Sequence, residues 1–223
     1  SINKESEVNR LIETNIDSYL EALMHGKRKE CQDLVMKLKA IDVSIEELYE
    51  KLFKRTLYLV GKLWEDNQIS VATEHIATAI TEGLMNIIYA DVIPQEETNF
   101  KVIVCPAEGE QHQVGAKMVS DIFELSGWNC HFVGWGTPTS ELLKLIQEVN
   151  PDVLAISLSV YMNMYNTVTM IETIRSKFPD LFILLGGQAF AHGTIPKSKD
   201  LKNYRIALNL SELEVFINNW RKK

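Results

Sequence analysis

The chain has 223 residues, 46% of them apolar, and a formal net charge of -7. A chain of this size holds one large domain or two small ones, and its acidity argues against a chain-wide nucleic-acid footprint; the only dense basic cluster near the start, Lys27-Arg28-Lys29, reads as a solvated helix entry. Three scattered cysteines (Cys31, Cys105, Cys130) exclude a disulfide framework or zinc spacing and fit a reducing, cytoplasmic setting, while no apolar run approaches the ~20 residues of a membrane span and no signal-peptide pattern opens the chain.

The first ~90 residues carry helical periodicity and no strand signal. A first helix is predicted over Ser6 to Met24, with Leu11, Ile12, Ile16, Tyr19, Leu20 and Leu23 inward. The region of Gly26 ends it, and a second runs from Lys29 to Ala40. Ser44-Ile-Glu-Glu47 is a capping box that opens a third helix reaching Trp64. Ser70 caps a fourth that reaches Tyr89. Short connections between four helices predict an antiparallel bundle over residues 1–90. The polar stretch 91–100, with Pro94, reads as a linker.

From residue 101 to 223 the period changes. Short apolar runs at Val102–Cys105, Cys130–Val133, Val153–Ile156, Leu181–Leu185 and, weakly, Arg205–Leu208 read as strands. Helical patterns at Val114–Leu125, Ser140–Val149, Thr167–Phe178 and Ser211–Trp220 alternate with them. Near-continuous apolar strands alternating with helices predict a five-stranded parallel sheet, Rossmann-like and flavodoxin-like in order. The fold class expected is therefore α/β with an all-α cap. Ligands of such sheets lie beyond the carboxyl ends of the strands, where the strand order reverses between the first and third.

The loop after the first strand reads Glu110-Gln-His112-Gln-Val-Gly115. Neutral imidazole binds metals, and a carboxylate two residues earlier can fix its tautomer. Gly115 removes a side chain where something bulky could approach the backbone. A solvated loop with an incidental His remains the alternative on this pattern alone. Ser157 and Ser159 alternate in the third strand and point to one side, toward a ligand or into the sheet. Gly186-Gly187 follows the fourth strand, as a ligand-admitting end or a plain turn.

These residues resemble the cobalamin-binding domain family, whose pattern is Asp-x-His-x-x-Gly, then Ser-x-Leu, then Gly-Gly. The resemblance implies a Rossmann-like fold with His112 as the lower cobalt ligand in place of the nucleotide base. It implies that Glu110 stands in the Asp position beside His112; the extra methylene of Glu is a departure from the family pattern that would make the hydrogen bond to His112 indirect. Gly115 opens a slot for the freed benzimidazole tail, Ser157 meets that tail, and Gly186 and Gly187 flank it. Ser159 stands where the family has Leu, and Tyr161 faces the corrin.

In the helical half, Trp64 precedes Val71, Glu74, His75 and Thr78, which share one helical face. A lone Trp is usually core, and Glu and His can pair with each other or lie on a wet surface. Trp64, then nine residues, then Glu74-His75 resembles the light-sensing cobalamin domains of the CarH and LitR type. Glu110-x-His112 and Leu185-Gly-Gly-Gln188 extend that resemblance over nearly the whole chain. It implies that Trp64, Val71, Glu74 and His75 cover the upper corrin face around an adenosyl group, with Gln188 completing the sheet-domain site. Glu65 follows Trp64 where some members have a His, so no bis-histidine photoproduct is expected there.

The function implied is a cobalamin-binding sensor, carrying adenosylcobalamin with methylcobalamin as the other form. Photolysis of its cobalt–carbon bond would change self-association into a homo-oligomer or contact with a protein partner. No direct nucleic-acid or membrane binding is expected. The alternative is a corrinoid methyl carrier of a methyltransferase system. Neither reading makes the chain an enzyme by itself.

Overall fold

The computed structural model describes residues 2–191 and 202–221 and divides into two compact units, Ser1–Val92 and Ile93–Lys223. Among the described residues no helix is long and apolar enough to cross a membrane.

The first unit is all helical. α1 (Ile2–Met24) and α2 (Arg28–Ala40) turn at Gly26, whose φ of +71° suits a residue without Cβ. The Ser44 capping box forms as expected: the Ser44 hydroxyl accepts from the Glu47 amide at 3.1 Å, and the Glu47 carboxylate accepts from the Ser44 amide. It starts α3 (Ile45–Leu48), followed by a π-helical stretch, Tyr49–Lys54, and α4 (Arg55–Glu65). The expected single α-helix from Ser44 to Trp64 is thus widened in its middle. Leu48, Tyr49, Leu52 and Phe53 are all buried there, and the buried Thr56 hydroxyl donates to the Leu52 and Phe53 carbonyls. α5 (Val71–Tyr89) begins at Ser70, whose hydroxyl accepts from the Thr73 amide at 3.2 Å. Ile12, Leu23, Val35, Leu38, Phe53 and Leu84 fill the centre of the bundle. Leu11 and Leu20, expected inward, are half-buried.

The second unit is a five-stranded parallel sheet, β1 (Lys101–Pro106), β2 (Asn129–Phe132), β3 (Val153–Ser157), β4 (Phe182–Gly186) and β5 (Tyr204–Ala207), in the order β2-β1-β3-β4-β5. That is the flavodoxin-like order, with its reversal between β1 and β3. α6 (Val114–Leu125), α7 (Thr139–Val149), α8 (Met164–Lys177) and α9 (Leu210–Trp220) complete it. Ile103, Leu154, Ile156, Ile183 and Leu185 pack with Leu142, Ile146, Ile171 and Ile174 of α7 and α8 in one core cluster. Register pairing runs Pro106–Ser157–Gly186–Ala207 across the last rung, so the carboxyl ends of four strands finish level.

The polar stretch before the sheet is tied to this unit. The Gln95 amide donates to the Leu125 carbonyl at 2.8 Å and that of Thr98 to the Gly127 carbonyl at 2.7 Å. Gly127 has φ +85°, and a Cβ there would stand 2.1 Å from the Glu96 carbonyl oxygen. Only glycine lets the two backbones approach so closely.

Candidate functional site

β1 passes its last rung with the Ala107 amide donating to the Ser157 carbonyl at 2.8 Å, then turns back, the Glu110 amide donating to the Ala107 carbonyl at 2.9 Å. The turn carries Glu110 inward, where it is only 1% exposed. Its carboxylate accepts four hydrogen bonds. Oε1 takes the His112 amide at 3.0 Å and His112 Nδ1 at 2.6 Å; Oε2 takes the Ser159 and Val160 amides, each at 3.0 Å. Burial alone would raise the carboxyl's pKa. The hydrogen bond from the His112 side chain, with the amides of His112, Val160 and Ser159, outweighs it and holds the group below its ordinary value. Glu110 is therefore an acceptor only and His112 Nδ1 is the donor, so that in the neutral imidazole the ring lone pair lies on Nε2. The His112 side chain is 44% exposed, so the ring reaches outward from a buried anchor.

The expected indirect His112–Glu110 contact is corrected by this geometry: the contact is direct. The longer side chain folds back over two residues and still spans to the amides beyond β3. Ser159 is also corrected. β3 ends at Ser157, so Ser159 lies in the exit loop and contributes its backbone amide, instead of alternating with Ser157 along the strand. Gly115 and Ser157 do face each other, because a Cβ on Gly115 would meet Ser157 Oγ at 3.5 Å. Gly187 takes φ +105° and ψ 164°, open to glycine alone, and a Cβ there would stand 2.2 Å from the Leu158 carbonyl oxygen. A Cβ on Gly186 would stand 3.1 Å from the Ala207 carbonyl oxygen. The pair thus brings the end of β4 against the exits of β3 and β5. Gln188 opens a short 3₁₀ turn, Gln188–Phe190. Tyr161 opens another, Tyr161–Asn163, that leads into α8 three residues before the expected start.

In the helical unit Trp64 lies one residue before the end of α4 and is 42% exposed, so it is a surface residue of the bundle and not a core aromatic. Val71 opens α5, also exposed. Glu74 Oε2 meets His75 Nδ1 at 2.5 Å, and Glu74 Oε1 accepts from the Thr78 hydroxyl at 3.2 Å. Of the readings the pattern left open, Glu74 and His75 pair with each other, with the His75 side chain 70% exposed and that of Glu74 13% exposed. The pairing is between sequence neighbours on one helix, with the ring in solvent.

Sequence reasoning missed the Val160 amide, because backbone donors carry no residue signature. It also missed Gln113, whose Oε1 accepts from the Trp135 amide at 3.2 Å and ties the His112 loop to the loop after β2. Its place beside His112 was the only available signal. Among the described residues no three His, Cys, Asp or Glu side chains gather as a metal site. The donor set is one outward imidazole with a carboxylate behind it and a glycine-faced serine beside it, which suits a cofactor bringing its own metal and its own equatorial ligands.

A flavodoxin-like sheet with such an imidazole at its switch point, in a chain that also has a helical bundle, defines a corrinoid-binding class of protein. Residues 16–89 match a family described as B12 binding domain, and residues 100–195 match a second B12 binding domain. The chain belongs with them: it joins a B12-binding cap domain to a B12-binding Rossmann domain, and it is a cobalamin-binding protein. Dimethylamine corrinoid protein 3 of Methanosarcina acetivorans is 25% identical over 168 residues, 74% of this chain and 78% of the relative. The HTH-type transcriptional repressor CarA of Myxococcus xanthus is 28% identical over 90 residues, 40% of this chain and 31% of the repressor. The structure of the Methanosarcina barkeri monomethylamine corrinoid protein superposes with a TM-score of 0.76 at 13% identity, over 92% of this chain and 99% of that one. At that identity the likeness is one of fold.

Proposed function

We propose that this chain is a corrinoid carrier, a non-catalytic subunit that holds a methyl-bearing corrinoid for methyltransferase partners. The observation that carries it is His112, turned outward and held through Nδ1 by the buried Glu110 at 2.6 Å. The relatives that span most of the chain are named as dimethylamine corrinoid proteins, which supports the carrier over the sensor expected from the Trp64-x9-Glu74-His75 pattern. Bound cobalamin supplies a cobalt centre that can accept and surrender a methyl group.

The chain's own contribution is to bind and orient. His112 would hold the cobalt through Nε2, and Glu110 would fix its tautomer and direction. Gly115 leaves room beside Ser157 for the nucleotide tail, and the Ser157 hydroxyl offers it a hydrogen bond. Gly186 and Gly187 shape the neighbouring wall, with Gln188, Ser159 and Tyr161 at its margin. Trp64, Val71 and His75 are exposed on the bundle, with the half-buried Glu74 holding His75, a group suited to contact a flat apolar ligand.

The test is methyl transfer. The reduced, corrinoid-loaded chain is mixed with dimethylamine and a dimethylamine methyltransferase, and its visible spectrum is followed. Conversion to the methylated spectrum is the expected result. A second reading, an adenosylcobalamin light sensor, is favoured by the CarA match and the Trp64-x9-Glu74-His75 pattern. A chain that takes no methyl group, yet changes molecular mass when its adenosylcobalamin complex is illuminated, would replace the carrier with the sensor.

A further inference from the structure

The Glu110 carboxylate has two sides, and only one is occupied by His112. Its other oxygen receives two consecutive backbone amides, Ser159 and Val160, both at 3.0 Å. Successive amides converging on one anion are a preorganised nest, and a loop built around such an anion depends on it. The chain then runs directly into the Tyr161–Asn163 turn, where the Asn163 amide donates to the Val160 carbonyl at 3.0 Å. This segment displays large apolar side chains to solvent: Met162 is 89% exposed, and Tyr161 and Tyr165 are exposed as well. A residue that binds the imidazole at one oxygen and the loop at the other cannot shift for one without shifting for the other.

We propose that Glu110 is a positioning residue that makes the β3 exit loop, Ser159–Tyr165, part of the lower-ligand assembly, so that cobalt ligation at His112 tightens this loop. The coupling is reciprocal: whatever tightens the loop favours the ligating orientation of His112. The extra methylene of Glu is what allows both reaches. An Asp at this position would hold either the imidazole or the amides. The coupling to ligation rests on the carrier reading only through its corrinoid. The clamp itself exists without it.

Residue-resolved amide hydrogen exchange by NMR separates the two. In the apoprotein, Glu110→Asp should speed exchange of the Ser159 and Val160 amides by about tenfold or more, while Ser159→Ala, which keeps the amide, should leave Val160 unchanged. Loading wild-type protein with hydroxocobalamin should slow exchange across 159–165 by a similar factor, and loading Glu110→Asp should not. Unchanged exchange in apo Glu110→Asp would overturn the clamp. Equal slowing in both loaded proteins would mean that the corrin covers the loop directly, and would overturn the coupling. Should Glu110→Asp fail to fold, His112→Ala takes its place, since that side chain is 44% exposed and its loss leaves the Ser159 and Val160 amides on Glu110. Loaded His112→Ala should then lack the slowing, and slowing equal to wild type would again overturn the coupling. A wild-type protein that binds no hydroxocobalamin removes the carrier reading and the coupling together, while the apoprotein result still decides the clamp.

Discussion

Among the described residues each unit carries one Glu–His side-chain pair, and the two pairs are close to identical in length: His112 Nδ1 to Glu110 at 2.6 Å, His75 Nδ1 to Glu74 at 2.5 Å. Their settings differ. Glu110 is buried and also holds two backbone amides from a distant loop; Glu74 otherwise holds only Thr78, one turn along its own helix. His112 projects from a fixed anchor, whereas His75 sits on a helix surface with its ring in solvent. A short contact distance therefore does not identify a working imidazole. What separates the pairs is how far the carboxylate is itself immobilised, because a ligand is oriented no better than the group that orients it.

The sharpest way to break the comparison is to remove each imidazole. His112→Ala should lower corrinoid affinity by more than the roughly 10–100-fold that outer-layer partners contribute, and abolish the His-on absorption spectrum. His75→Ala should leave that spectrum in place. Titration of apoprotein with hydroxocobalamin measures both, and loss of the spectrum in His75→Ala alone would reverse the assignment.

The carboxylates come next. Glu110→Gln places an amide NH2 against donors on one side or the other, leaving buried N–H groups facing N–H groups. The expected cost is about 1–3 kcal/mol of stability and roughly 10–100-fold in corrinoid affinity. Glu74→Gln, whose half-buried side chain meets only His75 and Thr78 of its own helix, should cost less, about 1 kcal/mol or under. Urea denaturation of each variant measures the stability part.

Acid sharpens the same contrast. The folded-state pKa of Glu110 lies below its ordinary value of 4.5. Its contribution to stability is therefore complete above that value and is lost as pH falls through the lower, folded one. Wild-type stability should decline over that acid window, and Glu110→Gln should show a shallower decline. Parallel declines would place the acid sensitivity elsewhere. The smallest effect belongs to the slot. Gly115→Ala should fold normally, since its Cβ would meet Ser157 Oγ at an ordinary contact distance of 3.5 Å, yet bind corrinoid more weakly than wild type. Unchanged binding would mean that the tail lies elsewhere.

Local signals were legible in the sequence. The Ser44–Glu47 box and the Ser70 cap act within one helical turn, so their residues announce them, and the apolar strands followed by helices announce the parallel sheet. Glu110 and His112 were legible as a pair because two residues separate them. The burial of Glu110 was not, since it depends on amides 49 and 50 residues away that any sequence would supply. The end of β3 at Ser157 was hidden for the same reason: Leu158 and Ser159 continue the alternating pattern while the backbone has already turned toward Glu110. The π-helical stretch Tyr49–Lys54 follows from packing demands on four neighbouring apolar side chains, and composition does not distinguish it from α-helix. The solvent exposure of Trp64 and His75 overrode an apolar and charged pattern that reads equally well as buried.

The central claim is that the imidazole of His112 is the lower cobalt ligand. Electron paramagnetic resonance of the cobalt(II) form, bound to protein labelled with nitrogen-15 only in histidine, tests it directly. Ligation by His112 predicts a doublet superhyperfine splitting from one nitrogen-15 nucleus, absent in His112→Ala. A triplet from nitrogen-14 in the labelled protein would show the cofactor's own benzimidazole still on the metal, and would contradict the account.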